Sequence, residues 1–269
     1  MLKKVLLFSL LSLSISTFAE EKNVVSSQEK NDIVLKDIES KFKNYFSGDI
    51  INYIADANLP NSYLVLLNDG TSLIYFKDTD YAVVGDLYDL SKRKNLSSTI
   101  MAGFNKSVLE KVIDKGIDLP VAPNVEKLDT VYVFTDPSCG YCRKLNHERE
   151  DYAKLGINLV YLPYSRSGEN TDSYNELIDV WCSKDKVKAM DLAKTDKGSE
   201  IKALEGYNVT EECKKVVAEG EFYGRVLGVK GTPAMFTSNG QAFPGYLPAN
   251  QLKDYLLELK EESKEQTKK

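Results

Sequence analysis

Two of the four cysteines in this 269-residue chain, Cys139 and Cys142, are spaced as Cys-Gly-Tyr-Cys. On a helix this spacing sets both sulfurs on one face, one turn apart, where they can join without unwinding it. The nucleophile in disulfide exchange is the thiolate, so one of the pair needs a lowered pKa. A helix opening at Cys139 provides this, because its first N–H groups lack intrahelical partners and its dipole favours negative charge. Arg143 and Lys144, one turn on, add positive charge, and Asp136 opposes them. Cys139 is therefore expected at the exposed helix tip as the nucleophile that attacks a substrate disulfide. Cys142, one turn deeper, resolves the mixed disulfide, and Gly140 and Tyr141 tune the redox poise.

Other chemistry for these residues is weaker. A purely structural Cys139–Cys142 bond closes so short a loop that it removes little unfolded-state entropy. A zinc site built from all four cysteines would have to recruit Cys182 and Cys213, which lack close zinc-knuckle spacing, and the chain has one histidine. Neither a metal nor another cofactor is expected. That histidine, His147, lies in the polar stretch 146–149, two turns down the helix, and reads as a solvated surface residue. A Cys–His protease has no second histidine to draw on. Cys182 and Cys213 fall in helical stretches beside Trp181 and Val216 and read as a structural disulfide between two helices. The loop closed has about 30 residues and contributes roughly 3 kcal/mol, although spacing leaves an exchangeable bond open. Gly231-Thr232-Pro233 stands just before a strand, an odd place for a trans proline. A cis Thr232–Pro233 bond would turn the chain sharply beside the dithiol.

The elements that must position these residues follow from hydrophobic period. Strands over 130–134 and 157–162 flank the cysteine helix, which runs to about Leu155 with Tyr141, Leu145, Tyr152 and Leu155 on its apolar side and Gly156 as cap. Strand, helix, strand implies parallel pairing with a right-handed crossover. Helical segments cover 172–194 and 210–227, a hairpin turns about Asn239-Gly240, and a last helix covers 248–259 before a charged tail. Upstream, 21–30 is polar and reads as disordered, and 31–46 as an amphipathic helix. Runs at 63–67, 72–77, 81–84 and 87–90, with Asn68-Asp69-Gly70 between the first two, read as a small antiparallel sheet. In the helix over 95–115, Leu96, Ile100, Phe104, Val108 and Val112 form a narrow stripe, and 118–123 is a stiff connector. That helix is a spacer between two domains, or packs on the first sheet.

Lys3, Lys4, the apolar run 5–15 and the small residues before Glu20 form a secretory signal. The run of about 11 residues falls short of the roughly 20 that span a bilayer, against an uncleaved anchor. Loss of Lys3 and Lys4 would take the net charge from −5 to −7. Such mild acidity with interspersed signs gives no reason to expect nucleic acid or an anionic membrane as partner. Four cysteines in an exported chain read as disulfides, and a chain of this length does not need them to hold its core.

The stretches 134–142, 228–234 and 238–246 resemble the DsbC/DsbG family of bacterial periplasmic thiol:disulfide interchange proteins. Gly140-Tyr141 between the cysteines is nearest to the DsbC branch, and 181–186 resembles the family around its second disulfide. The resemblance covers 130–259 well and the N-terminal half mainly in layout. It implies an α+β N-terminal dimerisation domain (20–94) and a linker helix with connector (95–124). An α/β thioredoxin-fold catalytic domain (125–262) and a charged tail (263–269) follow. It further implies a V-shaped homodimer with a cleft for misfolded, disulfide-containing exported proteins, and a membrane reductant of DsbD type. By the same resemblance Cys139 is the nucleophile with Cys142 its partner, Thr232 and Pro233 form a cis-proline substrate loop, and Cys182 and Cys213 are the structural pair. Val133 stands where ordinary thioredoxins have a buried aspartate, which fits an extracytoplasmic exchanger. Isomerase with chaperone-like binding is the leading expectation; a DsbA-like oxidase and a non-catalytic holdase are the alternatives.

Overall fold

The computed structural model describes residues 27–45, 51–57, 59–68, 71–91, 94–243 and 245–267. The expected signal peptide, 1–19, lies outside the described residues, as do Asp69 and Gly70 of the expected turn. Helix α1 (Ser27–Tyr45) is followed by β1 (Ile51–Asp56), β2 (Ser62–Leu67), β3 (Ser72–Phe76) and β4 (Tyr81–Val84). The four strands form an antiparallel sheet in that order. Ile38 and Phe42 of α1 pack on Tyr63, Val65, Leu73 and Tyr75 on one face of the sheet. The helix starts earlier than expected, so 27–30 are ordered helix. Strand β1 escapes the sequence pattern because none of its residues is fully buried and it shows no in–out alternation. The run at 87–90 reduces to β5 (Tyr88–Asp89), which pairs with β6 (Lys94–Asn95).

Helix α2 (Leu96–Leu109) starts at Asn95, whose side chain accepts from Ser98 N at 2.9 Å, and stops short of the expected end. A 3-10 turn (Ile113–Lys115) follows, and 117–119 is no free connector but strand β7 (Ile117–Leu119). Ile117 is buried in the main core, and Pro120, without an N–H, marks where pairing stops.

The main sheet is completed by β8 (Asp129–Thr135), β9 (Ile157–Pro163), β10 (Ala234–Thr237) and β11 (Ala242–Phe243), in the order β11-β10-β8-β9-β7. β8 and β9 run parallel, as the strand–helix–strand pattern requires; the other neighbours are antiparallel. Helix α3 (Gly140–His147) and helix α4 (Arg149–Lys154) replace the single helix expected, with Glu148 between them at φ −91°, ψ 6°. The segment 172–194 likewise divides into α5 (Asp172–Trp181) and α6 (Lys186–Ala193), because Asp185 caps a new start by accepting from Lys188 N at 3.0 Å. Helices α7 (Glu211–Val226) and α8 (Ala249–Thr267) complete the chain, and α8 extends well into the expected tail.

Side chains alternate across the sheet. Val131, Val133, Leu159 and Tyr161 face Leu145, Tyr152, Leu177, Met190 and Leu252 on one side. Phe134, Leu162 and Phe236 face Leu109, Val112, Tyr164 and Val229 on the other. Phe104 and Val108 of α2 also pack on Leu66 and Tyr53 of the first sheet, with Tyr223 and Val226 of α7. Helix α2 thus packs on both sheets.

The β10–β11 turn abuts α2, since Asn105 Nδ2 donates to Gly240 O at 3.0 Å and Gln241 Nε2 to Ser98 Oγ at 2.6 Å. Gly240 has φ +86°, and a Cβ there would lie 2.0 Å from Ala102 O. Gly240→Ala is expected to lower stability by about 1–3 kcal/mol, read by chemical denaturation, through positive φ and backbone clash together.

Candidate active site

The site is assembled at the C-terminal end of β8. Asp136 is fully buried, and its carboxylate accepts from Ser138 N (2.8 Å), Ser138 Oγ (2.7 Å), Ser173 Oγ (2.6 Å) and Arg166 N (2.9 Å). Burial pushes the Asp136 pKa up, but these hydrogen bonds more than offset it and hold the group ionised. The loop into α3 is pinned by this carboxylate, and Cys139 N donates to Asp136 O at 3.1 Å.

Cys139 is the N-cap residue of α3 (φ −82°, ψ 122°), so the first helical N–H groups converge on its sulfur. Its pKa is pulled down to about 5, chiefly by the hydrogen bond from Cys142, then by the Thr232 side chain and the N–H groups of Cys142 and Tyr141. Burial works against this and is outweighed. Arg143 and Lys144 are not the source of the shift expected of them. Arg143 is turned to Asp196 (2.7 Å) and to the Pro137 carbonyl (2.8 Å), while Lys144 sits over the Tyr246 ring at 4.9 Å.

The expectation of an exposed Cys139 is also corrected. The residue is 4 % exposed, because the 231–233 loop lies against it, with Thr232 O 3.1 Å from Sγ. Thr232–Pro233 is a cis peptide. The Thr232 hydroxyl oxygen is buried and has no other partner among the described residues, leaving it to face the Cys139 thiolate. Tyr141, expected on the apolar side of the helix, is instead 63 % exposed and stacks on Tyr246 at 5.7 Å. Gly140 stands at the first helical position, with open space where a Cβ would be. Leu227, Val229, Thr232, Pro233, Ala234 and Phe243 line a groove of about 360 Å³ along the loop that covers Cys139.

Cys142 is fully buried, and burial together with its hydrogen bond to Cys139 pushes its thiol well up. The two sulfurs are driven apart in acidity, one ready to attack and the other holding its proton. Thr135 and the Asp136 backbone N–H lie on Cys142, and behind Thr135 stands Lys194, which sequence reasoning missed. Lys194 Nζ donates to Thr135 Oγ1 at 2.8 Å and lies 3.8 Å from the centre of the Tyr161 ring. Burial lowers its pKa to about 8. The available signal is its position one turn after Met190, on the face of α6 that enters the core.

Cys182 closes α5 and is bonded to Cys213 in the first turn of α7, with Cα atoms 5.2 Å apart, so the four cysteines form no common metal site. His147 is exposed. Among the described residues no cluster of His, Cys, Asp and Glu is gathered as a metal would need, and no helix is long and apolar enough to cross a membrane.

Residues 118–260 match a family model described as a thioredoxin-like domain. The thiol:disulfide interchange protein DsbC of Escherichia coli strain K12 is 35% identical over 195 residues, covering 71% of this chain and 75% of that protein. The chain belongs to the DsbC family of thiol:disulfide interchange proteins. DsbC of Dickeya dadantii strain 3937 is 30% identical over 253 residues, covering 94% of each chain. Among solved structures, a disulfide interchange protein from Neisseria gonorrhoeae is 26% identical with a TM-score of 0.43, covering 54% of this chain and 96% of that one. The DsbC family membership makes this a thiol:disulfide interchange enzyme on a thioredoxin fold, acting on disulfide-bonded proteins.

Titration of the reduced protein by thiolate absorbance is expected to show a first midpoint near 5, moving upward in Cys142→Ala because the leading hydrogen bond is gone. The folded Cys139 pKa lies below its unfolded value near 8.5. Its contribution to reduced-state stability is therefore present above the unfolded value and lost as pH falls through about 5, which denaturation at a series of pH values would read.

Proposed function

We propose that the chain is a periplasmic protein disulfide isomerase and reductase that reshuffles non-native disulfides in exported proteins. The observation that carries this is the split between the sulfurs: a low-pKa Cys139 held against the cis Thr232–Pro233 loop, and a buried, protonated Cys142 beneath it. Cys139 attacks a wrong disulfide in a client lying along the 231–233 loop, and a thiolate of the client leaves. The client then either re-pairs with another of its own thiols or is released when Cys142 attacks Cys139. Gly140 and Tyr141 set the poise of the pair, Thr232 and Pro233 bind the client backbone, and Cys182–Cys213 is a structural bond. Export is supported by the apolar, small-residue leader pattern in 1–19.

An isomerase must be returned to its reduced state, so a membrane reductant of DsbD type is its electron source. The division is a dimerisation domain over 20–94, a linker helix with connector over 95–124 and a catalytic domain over 125–262. Support for a homodimer comes from β4, the outer strand of the first sheet, whose Tyr81, Val83 and Val84 are 71, 57 and 72 % exposed. An apolar strand edge of this kind is a template for pairing with a second copy. Two arms would then enclose a cleft that shields unfolded clients in a chaperone-like way. A low Cys139 pKa also suits a DsbA-like oxidase, since a stabilised thiolate makes the disulfide form more oxidising.

With a scrambled multi-disulfide substrate, the reduced protein is expected to restore activity faster than a monomeric oxidase does, and Cys139→Ala to lose that gain entirely. Activity that needs the oxidised enzyme instead would establish the oxidase, and full assistance from Cys139→Ala would establish a holdase. Val83→Asp is expected to yield monomers by light scattering, with Cys139 alkylation unchanged and isomerisation reduced about tenfold or more from lost avidity for the client.

A further inference from the structure

The dithiol chemistry leaves one buried titratable group unused. Lys194 closes α6, is 4 % exposed, and makes its hydrogen bond to Thr135 Oγ1 at 2.8 Å. The Thr135 side chain also acts on Cys142, whose pKa it lowers, so the hydroxyl stands between lysine and sulfur. Lys194 also borders a second groove, of about 600 Å³, lined by Asn146, His147, Arg149, Asp191 and Thr195 among others. One end of the line is the resolving sulfur, and the lysine at the other end borders this groove.

We propose that Lys194, acting through the Thr135 hydroxyl, accepts the Cys142 proton during resolution of the mixed disulfide and releases it into the groove bordered by Asp191 and Arg149. Lys194 is thus a positioning residue for that proton, and Thr135 is the group that touches the reacting sulfur. This rests on the reading of Cys139 as attacker and Cys142 as resolver.

In the mixed disulfide Cys139 Sγ is bonded to a client sulfur, Cys142 is a thiol and Lys194 is a neutral amine. Cys142 gives its proton to Thr135 Oγ1 while Thr135 gives its own to Lys194 Nζ. The Cys142 thiolate attacks Cys139 Sγ, the Cys139–client bond breaks, and the client sulfur leaves with the bonding pair. The enzyme dithiol is oxidised, the client disulfide is reduced by the same two electrons, and the client thiolate later takes a proton from solvent.

The groups around Lys194 make it suited to this. From α3 it faces Cys142 and Cys139, from β9 Tyr161, from α6 Asp191 and from α4 Arg149. Asp191 is ion-paired to Arg149 and accepts from Asn146 Nδ2 at 2.9 Å, so its charge is shared. Burial brings the lysine to about 8, close enough to neutrality for a useful fraction of free amine. The Cys139 thiolate raises the Lys194 pKa, and capture of that thiolate in the mixed disulfide removes this effect. The lysine therefore holds its proton most tightly in the reduced dithiol and is readiest to be neutral once resolution is due.

The test separates the two half-reactions by stopped flow with a fluorescent disulfide peptide, using Cys142→Ser to isolate the first attack. Lys194→Met is expected to leave first attack within about twofold and to slow resolution by about a hundredfold. Its resolution rate should lose the rise between pH 7 and 9 and climb only at higher pH with the Cys142 thiol itself. Lys194→Arg, which keeps charge but cannot shed a proton, should stay slow. Thr135→Val, with Lys194 in place, should slow the same step. Wild-type resolution and pH profile in Lys194→Met, or full rescue by Lys194→Arg, overturns the relay. Loss of first attack in the Cys142→Ser parent would instead mean that the Cys139 reading itself is wrong.

Discussion

Ala234 pairs with Phe134 across the antiparallel β10–β8 ladder, and most of the site's geometry depends on that register. With this pairing, Pro233 comes level with Thr135 at the end of β8, and Thr232 with the loop that leads into α3. The Thr232 carbonyl then lies 3.1 Å from Cys139 Sγ. A slip of one residue would turn every side chain of β10 to the opposite face. Met235 would leave the core it shares with Val133, and Phe236 would leave Phe134. The packing of two buried layers therefore enforces the position of a loop that has little packing of its own. The parallel β8–β9 pair does the same on the other side, since Thr135 opposite Pro163 brings Tyr164 N to Thr135 O at 3.2 Å.

Within that frame the charge on Cys139 is held almost without charged side chains. The contributors are a neighbouring thiol, a hydroxyl and two backbone N–H groups. Such dipoles are fixed by the helix and the strand ladder, so they need little reorganisation as charge arrives or leaves. The nearby cations are engaged elsewhere, Arg143 with Asp196 and Lys144 with Tyr246. An exchanger has reason for this arrangement. Its thiolate must also leave the stabilising site when it becomes half of a mixed disulfide, and a close salt bridge would then be left as an unpaired cation. Asp136 takes the one strong ionic role, and it acts on the loop backbone rather than on either sulfur.

The strand–helix–strand core, the dithiol at a helix start and the Thr232–Pro233 loop were legible because each is written in local spacing. Apolar runs at 130–134 and 157–162 with a helix between them call for a parallel pair, and Gly156 (φ +82°) follows the end of that helix. What was missed depends on contacts distant in sequence. β7 reads as a proline-bearing connector, yet Ile117, Asp118 and Leu119 find Tyr161, Val160 and Leu159 across the sheet. The burial of Cys139 comes from residues about 90 positions away. The breaks at Glu148 and at 182–185 are set by caps and tertiary contacts that a hydrophobic period does not register.

Lys194 marks the boundary of what a one-dimensional reading can reach. On a helical wheel it follows Met190 into the core, where a lysine reads as a long side chain that snorkels back to solvent. Its ammonium does the reverse, turning inward onto Thr135 and the face of Tyr161. Burial of that kind is costly unless hydrogen bonds and nearby negative charge compensate. Here the compensation comes from a hydroxyl, an aromatic face, an Asp191 carboxylate shared with Arg149, and two sulfurs that carry charge for only part of the cycle. Val133, apolar and fully buried in the strand beneath, puts no second carboxylate there. A cation so placed has its best electrostatic partner in a thiolate on Cys142, the one state of that sulfur which the rest of the site disfavours. Taking the Cys142 proton would turn the neutral lysine into that cation, so the proposed transfer creates both partners of the pair at once.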